Sequence, residues 1–531
     1  MSGRCEEKVD SSHLHLLCVG GLHCLTAHTE MVMLMVRQMS RVRLVMLMVK
    51  QRSGMRLVMV SLALYITVSL AVIEESLPLQ PGPSILCQPD AQGWDGEQDP
   101  RKTFDKQADF GYLREKLQSV VTVCRPRGLE AVESELRCSK NLEFCTATNL
   151  VLKFQSVEPR LSRENLKYQM DIFSGGELEL SGCELDHSWL TSNLELMSPL
   201  QSWAPELRHL SEGKGETRCD VTIEEPTVIA KLDAGVNMYH HFCDFLNLYL
   251  SLHLNYSLSD LEPEVWDTSK QVLVLENIPT TVKSPFAPAW AAFTSLPLMD
   301  LNDVGGKVVC VRRAIFPLLA RMVFGLYYNT PLVEGCQDSE MFRRFSRFML
   351  TGLGIAQYGV LAGQRLRVTL LSRDTKTRKI LNERDLVEAL HGTGLYKVTV
   401  AKFNPLVPFR SQLTLTHNSD LLIGIHGAGL THLLFLPDWA EVLELYNCDD
   451  VSCYRDLARL RGLGYTTHHW QGGTKMRTVE VAGSYRGPAH KKFSNYEFDP
   501  VEFLEVVNKI RERIIENPKY RRAYSEVHDE L

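Results

Sequence analysis

The stretch from Gln412 to Asn447 limits what this chain can fold into more than any other. After the end of a helix, Leu421-Leu422-Ile423-Gly424 is a short apolar run of the kind a fully buried strand carries. A tight turn follows, Gly424-Ile425-His426-Gly427-Ala428-Gly429, then a helix opening at Thr431, a proline stop, and a second strand from Val442 to Tyr446. Strand, glycine turn, helix and strand make the repeating unit of doubly wound α/β sheets. Closely spaced glycines at a helix start gather backbone N–H groups and the positive end of the helix dipole, which suits a phosphate. The turn lacks the full dinucleotide fingerprint and the lysine of a Walker loop. Spacing alone therefore leaves a phosphate site and a merely tight turn both open.

The preceding sequence extends the same pattern. Leu366 to Leu371 reads as a buried strand that runs into Ser372-Arg373-Asp374 and then Arg378 to Glu383. Tyr396 to Ala401 reads as the next strand and Gln412 to Asn418 as a helix. Arg373 falls at a strand's C-terminal end, where open α/β sheets bind ligands, and a guanidinium there grips a diphosphate with two bonds. Glu444, near the end of the last strand, reads either as a partner for ribose hydroxyls or as a solvated strand end. Further upstream, Lys231 to Leu254 carries an apolar helical stripe of Phe242, Phe245, Leu246 and Tyr249. Asn237, His240, His241 and Asp244 are spaced to share the adjacent face. Asp244 either holds His240 in one tautomer or itself accepts a hydroxyl proton. Asp233 is a second carboxylate for that role, or a helix cap.

GIHGAGLTHLLFLPDWAEVLELYNC, with WDTS at 266, LFLPDWA at 434 and LARLRG at 457, resembles the family 61 glycosyltransferases. The resemblance runs from about Asp105 to the C-terminus and takes in Asn237, His240 and Asp244, Ser372-Arg373, and Arg378 to Glu383. It also covers Cys310 to Cys336, where Arg321 and Tyr327 either face a cleft or only pack. The resemblance implies an α/β, GT-B-like fold: two Rossmann-type domains facing across a cleft, with a C-terminal helix packing back toward the first. It implies transfer of N-acetylglucosamine, with inversion, from UDP-GlcNAc to Ser or Thr hydroxyls of folded EGF-like repeats, such as those of Notch-type receptors. On this reading Asp244 or His240 is the base, with Asn237 and Asp233 beside them. Arg373, Arg378, His426 and the amides from Gly427 to Gly429 hold the diphosphate, and Gly424, Thr431 and Glu444 complete the donor side. The need for a divalent metal stays open.

Family members carry an Asp-aromatic-Asp triplet that supports full activity, where this chain has Ser295-Leu296-Pro297. That departure predicts a folded protein with weak transfer, Asp300 and Asp303 being poor substitutes. Two other classes remain: a non-catalytic luminal binding protein on the same fold, and a dinucleotide-dependent oxidoreductase.

Composition sets the outer bounds. A hydrophobic share of 44%, a charged share of 23% and a net charge of −6 over 531 residues describe a globular protein and argue against a nucleic-acid partner. Fourteen cysteines favour an oxidising compartment. Cys243, inside a helical pattern, is expected to be unpaired, and Cys448 and Cys453 to bridge locally; no spacing suggests zinc. MLMVRQ at 33 returns as MLMVKQ at 46, and RLVM at 43 returns at 56, which marks residues 1–54 as a leader without a fold of its own. Residues 55–75 read as a signal peptide or anchor and 76–104 as a linker. An acceptor-side domain is expected over 105–363, a nucleotide-sugar domain over 364–490, and a helical segment over 491–527 with an amphipathic helix from Val501 to Arg513. Asn255-Tyr256-Ser257 is a glycosylation sequon. His528-Asp529-Glu530-Leu531 has the form of a luminal retrieval signal, which calls for a retrieval receptor and the endoplasmic reticulum lumen.

Overall fold

Two sheets with different strand directions share the chain. The structure, a computed structural model, describes residues 86–87, 99–128, 133–155, 177–194, 200–213, 217–233, 235–254, 268–275, 284–323, 325, 327, 333–468, 475–481 and 491–529. These lie in the unit from Pro83 to Leu531. The repeated leader, the signal-like run, Asn255, Glu530-Leu531 and the side chains of His528 and Asp529 lie outside the described residues. The stretch read as linker is in part structured. Asp99 caps a helix at Pro100–Ala108, and Leu86–Cys87 pairs with Cys336–Gln337. Among the described residues, no helix is long and apolar enough to cross a membrane.

The first sheet is mixed. Along its main path run Met299–Asp300, Gln271–Val274, Val221–Ala230, Val308–Phe316, Cys145–Lys153, Glu135–Cys138, Val121–Pro126 and Cys183–Leu185. Neighbours are parallel as far as Val308–Phe316 and antiparallel beyond it. The expected Rossmann pattern thus holds only in the parallel part of this half. Val121–Pro126, Glu135–Cys138 and Cys145–Lys153 follow each other through short connections, which need no crossover helix. Two disulfides, Cys138–Cys145 and Cys124–Cys183, fasten them.

The second sheet is parallel throughout. Its strands are Leu366–Leu371, Tyr396–Ala401, Leu421–Gly424, Glu441–Glu444 and Gly464–Thr467, lying side by side in the order 2-1-3-4-5. The first three match the expected strands; the fourth starts one residue earlier than expected and ends at Glu444. In this order the connections leave the first and third strands in opposite directions, which opens a crevice at their C-terminal ends. Arg373 follows one of those ends and the glycine turn follows the other. The helix expected from Thr431 is instead a 3-10 helix at Ala428–Phe435, tighter and earlier.

A central helix, Met238–Leu254, lies between the sheets. Every residue from His241 to Leu254 is buried, so the helix is covered all round and not along the expected one-sided stripe alone. Phe242 meets Phe286 on one side and Phe409 and Phe435 on the other, with ring centroids 5.4–5.9 Å apart. One apolar core therefore includes Val228 and Val274 of the first sheet and Leu422 and Val442 of the second. The helix Pro500–Glu516 is capped by Asp499 and buries Phe503, Val506, Val507, Ile510 and Ile514. It packs with Leu386, Leu390 and Leu443 in the second half, and Arg513 pairs with Glu441. A last helix, Pro518–Asp529, follows it, with Tyr520 against Trp439 and Val527 beside Gly359.

Among the described residues four disulfides form, the other two being Cys87–Cys336 and Cys219–Cys310. Cys243 is unpaired as expected, but the bridge expected between Cys448 and Cys453 is absent. The two thiols face different partners, Cys448 the phenol of Tyr496 and Cys453 that of Tyr239.

The end of strand Val221–Ala230 is fixed by a buried ion pair. Lys231 Nζ lies 2.8 Å from both oxygens of Glu206 and 4.4 Å from the centre of the Trp203 ring. Burial pushes the Lys231 ammonium down from its usual range, against the pull of Glu206. Removing one member leaves the other charge unpaired in an apolar interior, at about 3–5 kcal/mol. Lys231→Met should lower the unfolding free energy from denaturant titration by that amount, with a lower midpoint, and adding Glu206→Gln should restore most of the loss. Equal midpoints for the wild type and Lys231→Met would show that the pair holds nothing.

Candidate functional site

The crevice at the switch point opens into a cavity of about 800 Å³ with walls from both halves. On the second-half wall stand Arg373, Arg378, His426 and Gly427. Arg378 donates to the carbonyl of His426 at 3.0 Å, and its backbone N–H is held by the carbonyl of Ser494 at 2.7 Å. Arg373 Nε donates to Thr375 at 3.2 Å. Neither guanidinium faces a carboxylate among the described residues. Burial, and then the charge of Arg378 beside it, pull Arg373 down to about 10. Two cations pressed together and partly stripped of water need an anion, and the geometry suits a doubly charged one.

Gly427 makes this packing possible. Its φ of +154° belongs to a region that is essentially glycine-only, and a Cβ there would collide with the Arg373 guanidinium. His426 is held by Glu444, which accepts from Nδ1 at 3.0 Å and also takes the Tyr465 hydroxyl. Its other nitrogen faces Asp450 at 3.6 Å, and Asp450 in turn pairs with Lys492 at 2.8 Å. Tyr454 packs edge-on against the His426 ring at 5.2 Å.

On the opposite wall are Asn237, Tyr239, His240 and Tyr327. Asn237 precedes the central helix, and its side chain accepts from the Tyr239 N–H at 3.1 Å. His240 Nδ1 lies 2.8 Å from Asp233 Oδ2. That contact is a donation from imidazole to carboxylate, which leaves Nε2 with its lone pair. Arg321 reaches the same carboxylate, Nε to Oδ2 at 2.7 Å and a terminal nitrogen to Oδ1 at 3.0 Å. Burial would raise the Asp233 carboxyl, but the bonds from His240 and Arg321 outweigh it and keep it below the usual carboxylate range. Behind this group, Asp244 accepts the backbone N–H of Asp233 at 3.0 and 3.2 Å. Burial, and then the nearby charge of Asp233, push Asp244 well above the usual range.

A cation-lined crevice at a switch point and an imidazole–carboxylate dyad across it are the parts a group transfer from a diphosphate requires. The family described as glycosyltransferase 61 matches residues 187–443. A rat protein named EGF domain-specific O-linked N-acetylglucosamine transferase is 43% identical, across 84% of this chain and 82% of its own. The Drosophila melanogaster protein of that name is also 43% identical, across 83% of each chain. The chain belongs to glycosyltransferase family 61. A Xenopus laevis member of the same name is 45% identical across 77% of this chain and 75% of its own.

Within this family framework the expected site residues separate. Arg373, Arg378, His426, Gly427, Asn237 and His240 all line the cavity. Asp233 stands directly behind His240. Asp244 does not line the cavity; it is buried and holds the backbone of Asp233. His241, expected on the same face, is also buried, its ring 4.4 Å from that of Phe245. Glu444 is fully buried and occupied by His426 and Tyr465, which corrects its expected role toward ribose. Thr431 is buried against Tyr454. Gly424 closes the strand against Leu371 and Leu430, and a Cβ on Gly429 would make only ordinary contact with Leu371. Sequence reasoning missed Asp450, Cys453, Tyr454 and Lys492 as lining residues, because no local pattern ties them to the turn.

Ser295-Leu296-Pro297 lies elsewhere. Ser295 bonds the carbonyl of Thr268, just before strand Gln271–Val274, while Asp233 lies beyond the C-terminal end of the parallel neighbour Val221–Ala230. The two are at opposite ends of these strands. Asp300 and Asp303 form a capping box on the short helix Leu301–Val304, so neither is free to act as a substitute. Among the described residues no group of three His, Cys, Asp or Glu side chains is arranged to hold a metal.

The anion wall makes a direct prediction. Arg373→Ala should weaken binding of inorganic diphosphate by about 1.5–3 kcal/mol, the range for a charge-assisted bond. Gly427→Ala should weaken it comparably by displacing Arg373, while Gly429→Ala should bind as the wild type. Calorimetric titration decides; equal affinity in all four proteins removes this wall as the anion site.

Proposed function

We propose that this chain transfers N-acetylglucosamine from UDP-GlcNAc to Ser or Thr hydroxyls of EGF-like repeats, working as a GT-B-like enzyme. The observation that carries the reading is one cavity with unbalanced Arg373 and Arg378 on one wall and His240, backed by Asp233, on the other. The names of the relatives supply the donor sugar and the acceptor class. The donor diphosphate lies against the two guanidinium groups, and the acceptor hydroxyl enters on the His240 side. His240 Nε2 takes the hydroxyl proton as the oxygen attacks the anomeric carbon. The bond from that carbon to the phosphate oxygen breaks, and the charge left on UDP is met by Arg373 and Arg378. A single displacement of this kind inverts the anomeric centre. Asp233 stabilises the imidazolium formed, as the carboxylate of a catalytic dyad does.

Four disulfides support an oxidising compartment for the reaction, and the endoplasmic reticulum lumen fits. The departure at Ser295-Leu296-Pro297 lies away from this cavity, so we expect ordinary transfer.

The experiment is transfer of radiolabelled N-acetylglucosamine to a folded EGF-like repeat, with and without EDTA. A positioned base contributes about 10²–10⁴ in rate, so His240→Ala should lose that much while retaining UDP affinity. Asp233→Asn should lose a similar amount. Asp244→Asn should stay close to the wild type, because burial already pushes its carboxyl toward the neutral form and an amide of the same shape still accepts the Asp233 N–H. Loss of activity in Asp244→Asn together with normal activity in His240→Ala would reverse the assignment. A wild type that shifts its melting temperature with NAD and not with UDP would point to an oxidoreductase.

A further inference from the structure

Arg321 does not line the cavity, yet it makes more contacts to the dyad than any other side chain described there. It engages both oxygens of Asp233 and also stands 3.2 Å from His240 Nδ1. Its own position is rigidly set. The segment after strand Val308–Phe316 is pinned by Trp203 Nε1 to the Pro317 carbonyl at 2.7 Å and by the Leu318 N–H to Ser251 at 2.8 Å. The Arg321 N–H bonds the Leu200 carbonyl at 2.8 Å, and Cys243 Sγ reaches the Ala320 carbonyl at 3.4 Å.

These contacts have a chemical meaning. Asp233 is in a half-buried position, with its backbone bonded by a second carboxyl, Asp244. Without a fixed cation its side chain has no reason to hold Oδ2 on the imidazole. The two-pronged guanidinium fixes the plane of the carboxylate, so that Oδ2 stays in line with Nδ1. The same guanidinium would donate to Nδ1 if the proton sat on Nε2, the tautomer that cannot accept a hydroxyl proton. The two contacts at Nδ1 therefore compete, and Asp233 wins by the shorter distance, 2.8 against 3.2 Å.

We propose that Arg321 is a positioning residue of the transferase reaction, acting through Asp233 to keep His240 in the tautomer with its lone pair toward the cavity. This rests on the reading of His240 as the base. Arg321 touches neither the donor nor the acceptor, so its effect belongs in kcat and not in donor binding.

The test is a double-mutant cycle on transfer kinetics with UDP-GlcNAc and a folded EGF-like repeat, using Arg321→Lys, Arg321→Gln, Asp233→Asn and the doubles. Arg321→Gln should lower kcat tenfold or more with the UDP-GlcNAc KM within twofold. Arg321→Lys, with the charge but not the fork, should recover part of that loss. In the Asp233→Asn background the Arg321→Gln change should cost nothing further, because the residue through which it acts is already disabled. Additive losses in the double variant would overturn the proposal, as would a loss confined to KM or one that follows a fall in melting temperature. If His240→Ala transfers normally, the reading of the base has failed, and that result is distinct from an additive cycle with an inactive His240→Ala.

Discussion

Like charges held together in a cavity wall repel, and much of this fold serves to hold two of them there. Arg373 and Arg378 leave the same edge of the parallel sheet, and each is tethered by neutral groups, a threonine hydroxyl and a peptide carbonyl. Arg378 sits at a positive φ of 60°, anchored by Ser494 from the hairpin Met476–Glu480 and Ser494–Phe498. Gly427 removes the one atom that would separate the guanidinium groups from the turn. The resulting field is directed into the crevice, where a departing diphosphate gains most from it. Carboxylates exist nearby but are kept occupied: Glu444 by His426 and Tyr465, and Asp450 by Lys492.

The opposite wall depends on the same economy of charge. Of three carboxyl or imidazole groups around the start of the central helix, only His240 lines the cavity; Asp233 stands behind it and Asp244 behind Asp233. The order runs from cavity to interior: His240 at the lining, Asp233 held below the usual carboxylate range, and Asp244 pushed well above it. Burial raises both carboxyls, and the bonds from His240 and Arg321 bring Asp233 back below the usual range.

What was legible in the sequence was local. Leu421-Leu422-Ile423-Gly424 and Leu366 to Leu371 were read correctly, because continuous apolar runs bounded by turn residues have few alternatives. Arg373 and the glycine turn were placed at one edge by the same logic. Asp244 is buried although helical spacing groups it with His240, because spacing tells which residues share a face but not which face the second half of the chain will cover. Gly427 and Gly429 look alike in sequence, and only the arrival of Arg373 from another strand distinguishes them. The mixed first sheet was hidden for a related reason: strand direction is set by pairing partners far apart in sequence, such as Val308–Phe316 with Cys145–Lys153.

The central helix has a further consequence for motion. Phe242 sits with Phe286, Phe409 and Phe435 in a core that belongs to both sheets at once. Swinging the walls apart would return these rings to water, at about 1.5–3 kcal/mol for each side chain fully exposed. The crevice thus has a floor that resists hinge opening. Access to the cavity is then by its open rim and not through a swing of the two halves.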